Sequence, residues 1–478
     1  MLGLTGAGYA AQPTAAVLTY HASPDRSGNF VVPGLSWERA RALHPDSHFH
    51  AQIAGHVYAQ PLYWRGGAQP GVLLVATEDD TVYALDADSG NTRWRSVLGK
   101  PVPRASLPCG NIDPLGITGT PVIDPDTGSI YLDAMRLDPR TGVPQHGIFA
   151  LSLTDGSIRA GWPVDVAARV ATRGTPFEAI NQNQRGALSI LDDTLYVAYS
   201  GHWGDCARYH GWVVGVKLLN PQAVSSWHTS ARGGGIWGPA GISSDGHSLF
   251  VATGNTMDTR QWGGGEAVVR LDPALSFSAA TTDFFAPKDW RQMDASDADL
   301  GGVAPLLFHL GTADLVMALG KDGKAYLLDR RNLGGIGGEL IAQQVSDDPI
   351  RTAPAFYPLA DQIDVAFQGT GSNCPAGHSG ELTVLQVQAG ERSLKTVWCA
   401  SVRGAGSPIV TTTDGSHDPI VWILGAEGDN RLYGFRGDTG ERLFVSQPLS
   451  GLRHFQTLIA ANHRLYLAAD DNVFAFTF

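Results

Sequence analysis

The stretch VYAQPLYWRGGAQPGVLLVATEDDTVYALDADSGNTRWRSVLG (57–99) contains four short segments in which apolar and polar residues alternate. This alternation is typical of strands that bury one face. Gly, Asp and Asn stand between the segments and favour tight turns. Four short antiparallel strands that recur along a chain form one blade of a β-propeller.

The third of these segments recurs along the whole chain, and counting its copies gives the number of blades. With the first copy, TVYALDADSG (81–90), the pattern appears eight times. The seven later copies are GIFALSLTDG (147–156), WVVGVKLLN (212–220), AVVRLDP (267–273), AYLLDRRNLGG (325–335), LTVLQVQAG (382–390), LYGFRGDTG (432–440) and NVFAFTF (472–478). Repeats of this kind predict an all-β, eight-bladed propeller with four-stranded antiparallel blades.

The last copy ends at Phe478 with its third strand, so the fourth strand of that blade must come from elsewhere. We expect residues of about 17–23 to supply it, because such an exchange closes the ring and removes an open sheet edge. One domain is predicted over residues 17–478, with a first full blade at about 57–98 and a last blade at about 454–478. Residues 1–16 are interpreted as a tail or the remnant of an export signal.

Composition excludes several classes of partner. The formal net charge is -12 and no run of Lys or Arg exceeds two residues, so nucleic acid is not expected. No stretch reaches the roughly 20 apolar residues of a membrane span. The four cysteines match no zinc pattern. Cys374 and Cys399 are either an intra-blade disulfide or two buried thiols, and the state of Cys109 and Cys206 stays open.

The segment VYALDADSGNTRW (82–94) resembles the tryptophan-docking repeat of pyrroloquinoline-quinone (PQQ) dehydrogenases. In that repeat a Trp of one blade packs on a turn of the next, and Trp94, Trp162, Trp227 and Trp398 occupy its position here. Over nearly the whole chain the sequence is similar to a bacterial family of PQQ-binding-like β-propeller repeat proteins. The segments that carry this resemblance include VLTYHASPDRSG (17–28), NQNQRGALSI (181–190), GGIWGPAG (234–241), ATGNT (252–256), DLGGVAP (299–305) and KDGKAYLLDR (321–330).

The resemblance implies a quinoprotein-like fold and an exported protein, periplasmic or secreted. It brings no established activity. PQQ with calcium is the cofactor that this likeness suggests.

Ligands of propellers bind where the first strands of the blades meet at the channel mouth. Most of these strands contain a small residue followed by Pro or Ala, and the strands can be aligned on this pair. The alignment predicts a ring of channel-facing residues: Tyr58, Thr118, Gln184, Trp237, Gly302, Arg351, Ala405 and Phe455. The next ring is mostly small and has Arg185 and Gln456 as its polar members. Gln60, His56 and His454 flank the same rim.

Within these rings, Arg185 and Arg351 suit a carboxylate, a phosphate or a quinone oxygen, because a guanidinium makes paired charge-assisted hydrogen bonds. The alternatives are that the arginines pair with Glu78 or Asp299, and that the aromatic residues only plug the channel.

Metal binding has two candidate regions in the sequence. Histidines cluster at His44, His48, His50 and His56, and Asp-rich turns at 124–127 and 294–299 could hold calcium. The alternative interpretation is that the turns are solvated and that the histidines only make structural hydrogen bonds. The metal content stays unknown.

Three functions are consistent with the sequence. The first is a quinoprotein-like oxidoreductase acting on an alcohol or a sugar, with Glu78 or Asp79 as base. The second is a lyase or hydrolase with Tyr58 or Tyr20, His454 or His21, and Arg351. The third is a non-catalytic scaffold that presents its top face to a protein partner, as an outer-membrane assembly scaffold with similar repeats does. A small-molecule or carbohydrate ligand is expected for the enzymes.

Overall fold

Eight antiparallel sheets follow one another around a ring and form the predicted eight-bladed propeller. The structure, a computed structural model, describes residues 15–67, 69–170 and 174–478. Most of residues 1–16, interpreted above as a tail or signal remnant, therefore lie outside the described residues.

Blades 1 to 4 take their strands from residues 62–286, innermost strand first. Blade 1 has Leu62–Trp64, Val72–Thr77, Thr81–Asp86 and Thr92–Val97. Blade 2 has Val122–Asp124, Ser129–Leu137, Pro144–Ser152 and Val164–Asp165, with Lys100–Pro101 added. Blade 3 has Ser189–Leu191, Thr194–Tyr199, Trp212–Lys217 and Val224–His228. Blade 4 has Ser243–Ser244, Leu249–Thr253, Ala267–Leu271 and Phe284–Ala286, with Gly335–Ile336 added in parallel.

Blades 5 to 8 follow the same plan. Blade 5 has Leu306–Leu310, Ala313–Leu319, Lys324–Asp329 and Ile341–Gln344. Blade 6 has Ala355–Leu359, Gln362–Gln368, Leu382–Gln388 and Lys395–Ala400. Blade 7 has Ile409–Thr412, Ile420–Leu424, Leu432–Arg436 and Arg442–Val445, with Asn29–Val31 added in parallel. Blade 8 has Ile459–Ala461, Arg464–Ala469 and Asn472–Thr477.

A few short elements lie outside the blades. Arg232–Gly233 pairs with Thr256–Met257. The α-helices are Trp37–Arg41, Val166–Arg169 and Trp290–Ser296, and the 3-10 helices are Tyr20–Ala22, Arg104–Ser106, Ala179–Asn181 and Leu300–Gly302.

Tryptophans fix the angle between neighbouring blades, as the repeat predicts. Trp94 Nε1 donates to Leu153 O in the next blade at 3.1 Å, and Trp398 Nε1 donates to Gly437 O at 2.6 Å. The turn glycine beneath Trp94 is Gly156, which has a φ of 72°. If another residue stood there, its Cβ would lie 2.5 Å from the indole of Trp94. Glycine is therefore needed there for both backbone conformation and space.

The ring is closed by the N-terminal part of the chain, but not by residues 17–23. The fourth strand of blade 8 consists of His44–Pro45 and Ala51–Gln52, both antiparallel to Asn472–Thr477. The predicted segment instead lies inside the ring, where Val17 makes a bridge to Tyr63. The prediction failed because several apolar N-terminal segments could complete the sheet edge, and pattern alone does not choose among them.

Residues 17–32 wind around the lower end of the central channel and contact successive blades. Backbone hydrogen bonds join this segment to the innermost strands of six blades through the following N–H to O pairs: Tyr63 to Val17, Ile123 to Leu18, Ser244 to Pro24, Leu307 to Asp25, Phe356 to Ser27 and Val410 to Gly28. The missing blade 3 is reached by the side chain of Arg26, which donates to Leu188 O at 3.1 Å. Together with residues 44–52, the N-terminal segment thus ties all eight blades together.

Arg26 and the residues beside it are buried where this segment fills the channel. Its guanidinium makes five hydrogen bonds, to Ile242 O (twice), Leu188 O, Tyr20 O and Thr19 Oγ1. Burial lowers the pKa of Arg26 to about 10, so the group remains charged at neutral pH. The landmark VLTYHASPDRSG is therefore a structural plug, which explains its mixture of apolar and polar residues.

Two disulfides cross-link the chain, Cys109–Cys206 and Cys374–Cys399. The second is the predicted intra-blade bridge. Disulfides persist in oxidising compartments, so their presence agrees with an oxidising environment for this protein.

Removing each disulfide should destabilise the fold according to the length of the loop that it closes. The two bridges join residues 97 and 25 positions apart. Chain entropy then gives a loss of about 5 kcal/mol for the Cys109→Ser/Cys206→Ser pair and about 3.5 kcal/mol for Cys374→Ser/Cys399→Ser. Urea unfolding of the two double variants measures this order, and equal losses would contradict it.

In the part of the chain that the structure describes, no helix is both long and apolar enough to cross a membrane.

Candidate active site at the channel mouth

The central channel opens into a cavity at the end opposite the N-terminal segment. In blade 3 the segment that leads into the innermost strand runs from Arg185, which lines the cavity, to Leu188, which contacts Arg26 at the lower end. The cavity has a volume of about 660 Å³. Trp237 and Phe455 approach each other across the channel, with ring centroids 6.4 Å apart, and form the floor. The aromatic residues thus narrow the channel without filling its mouth.

Glycines on both sides of Trp237 allow its indole to lie against the backbone. A Cβ on Gly302 would stand 2.8 Å from Trp237 Cη2, and one on Gly254 would stand 3.3 Å from Nε1. These glycines belong to the DLGGVAP and ATGNT segments. Their role here is to hold a large flat ring at the bottom of the cavity.

Two arginines present positive charge to the cavity without an internal partner. Arg185 is 9% exposed and lies 5.3 Å from the ring centroid of Phe455, measured from Cζ. Arg351 is exposed at the rim. Among the described residues, neither guanidinium has an ion pair or a hydrogen-bond acceptor, so the predicted alternative of pairing with Glu78 or Asp299 does not occur. Such groups are available to an anionic ligand.

A carboxylate and an ammonium group face the same cavity. Lys321 Nζ lies 2.5 Å from Asp299 Oδ2 and 2.8 Å from Asp297 Oδ1. The N–H of Asn255 donates to Asp299 Oδ1 at 2.7 Å. Burial raises the pKa of Asp299, while the Lys321 ammonium and the Asn255 N–H oppose this rise. The result is a buried carboxylate that is held in position and biased towards accepting a proton.

A second acid, Glu266, is buried next to Asp299. One of its oxygens accepts from the N–H of Leu300 at 2.7 Å, and the other has no partner among the described residues. Burial, together with the charge of Asp299, holds the pKa of Glu266 well above its usual range. Two neighbouring carboxyl groups in such environments divide their roles, one protonated and one ionised.

Carboxamides and a rim loop complete the lining. Asn111, Asn183 and Asn255 line the cavity, and Asn183 Oδ1 is buried without a partner among the described residues. The rim includes Trp203, a residue that is 69% exposed. The Cys109–Cys206 disulfide anchors this loop, since Cys109 Sγ packs beside Gly204 of the lining.

Six of the residues predicted from the sequence to face the channel or its rim line this cavity: Arg185, Arg351, Trp237, Ala405, Phe455 and His454. Burial lowers the pKa of His454, and its Nδ1 lies 2.9 Å from Glu427 Oε1. Tyr58 lies below the floor, in a narrow chamber, and its ring contacts that of His454 with centroids 5.2 Å apart.

The structure does not bring the predicted base residues, Glu78 and Asp79, into the cavity lining. Glu78 is fully buried, and its Oε2 accepts from the N–H of Gly116 at 2.7 Å. Asp79 is half-buried beside Gly55. Both follow the second strand of blade 1. Residues at this place line the cavity in blades 3, 4 and 5, but Glu78 is held by the backbone of Gly116 and Asp79 lies against Gly55 instead.

Three predicted ligand-binding residues make internal contacts instead. Gln184 is buried and donates to Gly186 O at 2.5 Å. Gln60 accepts from the N–H of His21 at 3.0 Å and so holds the N-terminal segment. His56 lies 2.9 Å from Asp470 Oδ2. Each is used to join elements of the ring rather than to face the mouth.

The histidine cluster and the Asp-rich turns do not form a metal site among the described residues. No group of three or more His, Cys, Asp or Glu side chains there could hold an ion. Asp124, for example, accepts from the N–H groups of Asp126 and Thr127 within its own turn.

Asp80, next to Glu78, should make stability depend on pH. Burial, with the nearby Glu78 and Asp133 charges, raises the pKa of Asp80 to about 9. A folded-state pKa above the unfolded value gives stability that is present at low pH and is lost as the pH rises towards 9. The Asp80→Asn variant cannot ionise, so we expect it to be more stable than the wild type at pH 8 and to have a flatter stability profile.

Asp86→Asn is the matched control with the opposite sign. Partial burial opposes ionisation of Asp86, but Arg93 and Ser89 hold its pKa at about 2. This variant should therefore lose stability at neutral pH relative to the wild type. Urea midpoints between pH 4 and pH 9 measure both effects, and an Asp80→Asn profile parallel to that of the wild type would contradict the first.

The sequence interpretation named Asp299 only as a possible partner of an arginine or part of a calcium-holding turn, and it did not name Asn255 or Lys321 as site residues, although all three lie within the segments that it had marked. Asp299 begins DLGGVAP, Asn255 lies in ATGNT and Lys321 begins KDGKAYLLDR. Each of them is a polar residue that follows a second strand or precedes a first strand. This shared position was the signal from which the sequence could have predicted them as site residues. Only the ring shows that these separate segments meet.

The fold is an eight-bladed β-propeller of the quinoprotein-like type. Neither the protein-family models nor the curated proteins include a match to this sequence. Similar solved structures exist. The quinohemoprotein alcohol dehydrogenase from Comamonas testosteroni matches with a TM-score of 0.69 and 13% identity, over 98% of this chain and 81% of that one.

Two further solved structures widen the comparison. A europium-containing methanol dehydrogenase matches with a TM-score of 0.64 and 15% identity, over 97% of this chain and 91% of that one. BamB from Moraxella catarrhalis matches with a TM-score of 0.51 and 14% identity, over 91% of this chain and 98% of that one. At these identities the likeness establishes the fold, and function rests on the site itself.

Proposed function

We propose that this protein is an oxidoreductase that oxidises an alcohol or a sugar with an acidic quinone of the PQQ type bound in the mouth cavity. The observation that carries the proposal is the joint presence of unpaired guanidinium groups, a flat indole and the Asp299–Lys321 pair in one cavity of about 660 Å³. Apolar walls with a few oriented polar groups are typical of cofactor sites.

The lining fits a planar polycarboxylate. Trp237 offers an aromatic surface that the neighbouring glycines leave room for. Arg351 and Arg185 would hold the carboxylates, because charge-assisted hydrogen bonds to a guanidinium are strong and directional. Lys321, whose Nζ lies 5.2 Å from the Trp237 ring, would face a quinone oxygen.

The lining does not fit the calcium ion that accompanied PQQ in the sequence-based expectation. Both oxygens of Asp299 are already engaged, one by the Asn255 N–H and one by Lys321. The other carboxylates of the lining are engaged as well, Asp297 by Lys321 and Asp205 by the Tyr209 hydroxyl, whereas calcium sites generally use several free carboxylate oxygens. We therefore derive no step through a metal.

Asp299 is the residue that we propose as general base. Its carboxylate would take the proton from the substrate hydroxyl, and its raised pKa suits this task near neutral pH. The bound quinone would supply the acceptor for the two electrons that leave the substrate carbon. Lys321 would keep Asp299 ionised before the proton arrives, and Glu266 would stay protonated behind it.

The two other predicted functions receive less support. Of the Tyr58–His454 pair of the lyase or hydrolase hypothesis, only His454 reaches the mouth cavity, while Tyr58 faces a chamber of about 10 Å³. Burial also raises the pKa of Tyr58 to about 12. Tyr20 and His21 lie within the N-terminal plug. A scaffold would not require an open cavity with unpaired arginines, and a protein partner on the top face stays a prediction.

A periplasmic or secreted location is part of the proposal. Its support is the pair of disulfides, which an oxidising compartment would preserve.

Titration with PQQ tests the proposal. Quenching of tryptophan fluorescence should reveal saturable binding, and the loaded protein should reduce a dye when primary alcohols or sugars are added. Arg351→Met should weaken PQQ binding by about tenfold or more through the loss of a charge-assisted contact. Arg403→Met, at an exposed arginine outside the cavity lining, is the matched control. Absence of binding, or equal effects of both variants, would refute the quinone assignment.

A further inference from the structure

Trp203, on the rim of the mouth cavity, is the most exposed aromatic residue in the part of the chain that the structure describes. An exposed apolar side chain by itself indicates little, because soluble proteins carry many of them. Trp203, however, lines a cavity together with hydrogen-bonding groups, and this combination is typical of a ligand contact. The proposed quinone site does not use it, since the aromatic surface of that site is Trp237 at the floor.

The loop that carries Trp203 is held in one position. On one side of Trp203, His202 is buried, and its Nε2 donates to Ile180 O at 3.0 Å. On the other side, Asp205 Oδ1 accepts from the hydroxyl of Tyr209 at 2.5 Å, and the first disulfide anchors the end of the loop. The indole is therefore presented to solvent by a fixed loop, so a ligand that contacts it does not have to order the loop first.

The asparagine side chains of the same lining are also unpaired. None of the carboxamides of Asn111, Asn183 and Asn255 makes a hydrogen bond with the described residues. A carboxamide donates and accepts hydrogen bonds at once, and this is what the hydroxyl groups of a ligand require. Water molecules can satisfy such groups too, but hydration alone does not explain an indole fixed beside them.

One of these asparagines adjoins the proposed base. The N–H of Asn255 donates to Asp299 Oδ1 at 2.7 Å, so the Asn255 side chain begins next to that carboxylate. The loop of Trp203 is close as well, since burial raises the pKa of Tyr209 and the charges of Asp205 and Asp299 add to this rise. A hydroxylated ligand bound by Asn255 therefore has a hydroxyl group within reach of Asp299.

The charges of the rim favour a neutral ligand. Asp205 and Asp297 both line the cavity, whereas Arg185 and Arg351 are assigned to the carboxylates of the quinone. An acidic ligand would be repelled by the two aspartates once the arginines are occupied. A simple alcohol has a single hydroxyl group and would leave most of the carboxamides unsatisfied, which a site of this kind disfavours.

We propose that the rim of the mouth cavity is a subsite for the pyranose ring of a neutral sugar. The indole of Trp203 lies against the C–H face of the ring, and the carboxamides of Asn111 and Asn255 bind its hydroxyl groups. A sugar ring combines an apolar face with a polar edge, so it uses both kinds of group in the lining. The consequence that the substrate is a sugar rather than a simple alcohol rests on the proposed function, whereas sugar binding at the rim does not.

Saturation-transfer-difference NMR on the full chain without PQQ tests the subsite directly. The probes are D-glucose, D-galactose and maltose, with 1-butanol as the simple alcohol. At least one sugar should receive magnetisation on its ring C–H groups, and it should do so more strongly than 1-butanol. Absence of transfer to all three sugars would overturn the proposal.

Two variants locate the bound sugar. Trp203→Ala should raise its Kd about tenfold through the loss of the aromatic contact, and Asn111→Ala should raise it about fivefold. Both residues are exposed, so the variants should keep the Tm of the wild type. Leu219→Ala removes an exposed apolar side chain outside the cavity lining and is the matched control, with an unchanged Kd. A Kd in Trp203→Ala equal to that of the control would overturn the subsite.

Kinetics with bound PQQ separate this proposal from the proposed function. The ratio of kcat/KM for the best sugar to that for 1-butanol should be about a hundred or more. Trp203→Ala should raise KM for that sugar with kcat nearly unchanged, and its affinity for PQQ should equal that of the wild type. A preference for 1-butanol, or weaker PQQ binding by Trp203→Ala, would overturn the sugar subsite and leave the quinone assignment standing. Failure of PQQ to bind would refute the proposed function alone, because the NMR experiment measures the sugar without it.

Discussion

Replacing Asp299 with Asn should lower kcat/KM by about a thousandfold while leaving the fold intact. Asparagine has the same size and can still accept from the Asn255 N–H, but it cannot take a proton from a substrate hydroxyl. Steady-state dye reduction with the best alcohol or sugar measures the loss. The urea midpoint of the variant, compared with that of the wild type, checks that folding is unaffected.

Asp297→Asn is the control for this change. Asp297 binds the same ammonium group of Lys321, but its side chain is 66% exposed. An exposed ion pair contributes little, so kcat/KM should stay within about threefold of the wild type. If Asp299→Asn retained a tenth or more of the activity, or if both variants lost activity equally, Asp299 would not be the base.

The Lys321→Met variant distinguishes an effect of Lys321 on proton transfer by Asp299 from a role in positioning alone. Without the ammonium group at 2.5 Å, the pKa of Asp299 should rise further, because the main group that opposes the effect of burial is gone. The acid limb of the pH profile of kcat/KM should then move to higher pH. A purely structural role for Lys321 would reduce activity without this displacement.

Replacing Arg26 with Met should destabilise the propeller by about 4 kcal/mol. The variant leaves the carbonyl oxygens of Leu188 and Ile242 and the Thr19 hydroxyl buried without their donor. These contacts also join the plug to blades 3 and 4, so the loss is not local to one turn. Chemical denaturation reports the change in the free energy of unfolding.

Arg41→Met is the matched control. Arg41 binds Glu441 at 2.7 Å, but the side chains are 48% and 50% exposed. Its removal should cost less than about 1 kcal/mol. Equal destabilisation by the two variants would contradict the view that residues 17–32 hold the ring together from within.

The local sequence pattern was sufficient to predict the blades. Segments such as GVLLVATEDD and TVYALDADSG alternate apolar and polar residues and are joined by turns that contain Gly or Asp, so their strand character follows from short-range chemistry. The docking of Trp94 on the turn at Gly156 follows from the same repeat. The register of the inner strands also predicted the positions of Trp237, Arg351, Phe455 and Arg185 in the mouth.

Contacts between distant parts of the chain decided the rest. Residues 44–52, rather than 17–23, complete blade 8, because a free sheet edge accepts any extended segment that can reach it. Asp299, Lys321 and Asn255 are spread over 67 positions of sequence and become one group only when blades 4 and 5 stand side by side.

The sequence by itself therefore determined the number of blades, their strands and the turns between them, since each depends on residues a few positions apart. The tertiary structure alone decided that the N-terminal segment is a plug, that Glu78 is a buried carboxyl group rather than part of the mouth, and that Arg185 stands between two cavities without a counter-ion. These properties depend on burial and on charge at short range, and both arise only when the ring closes.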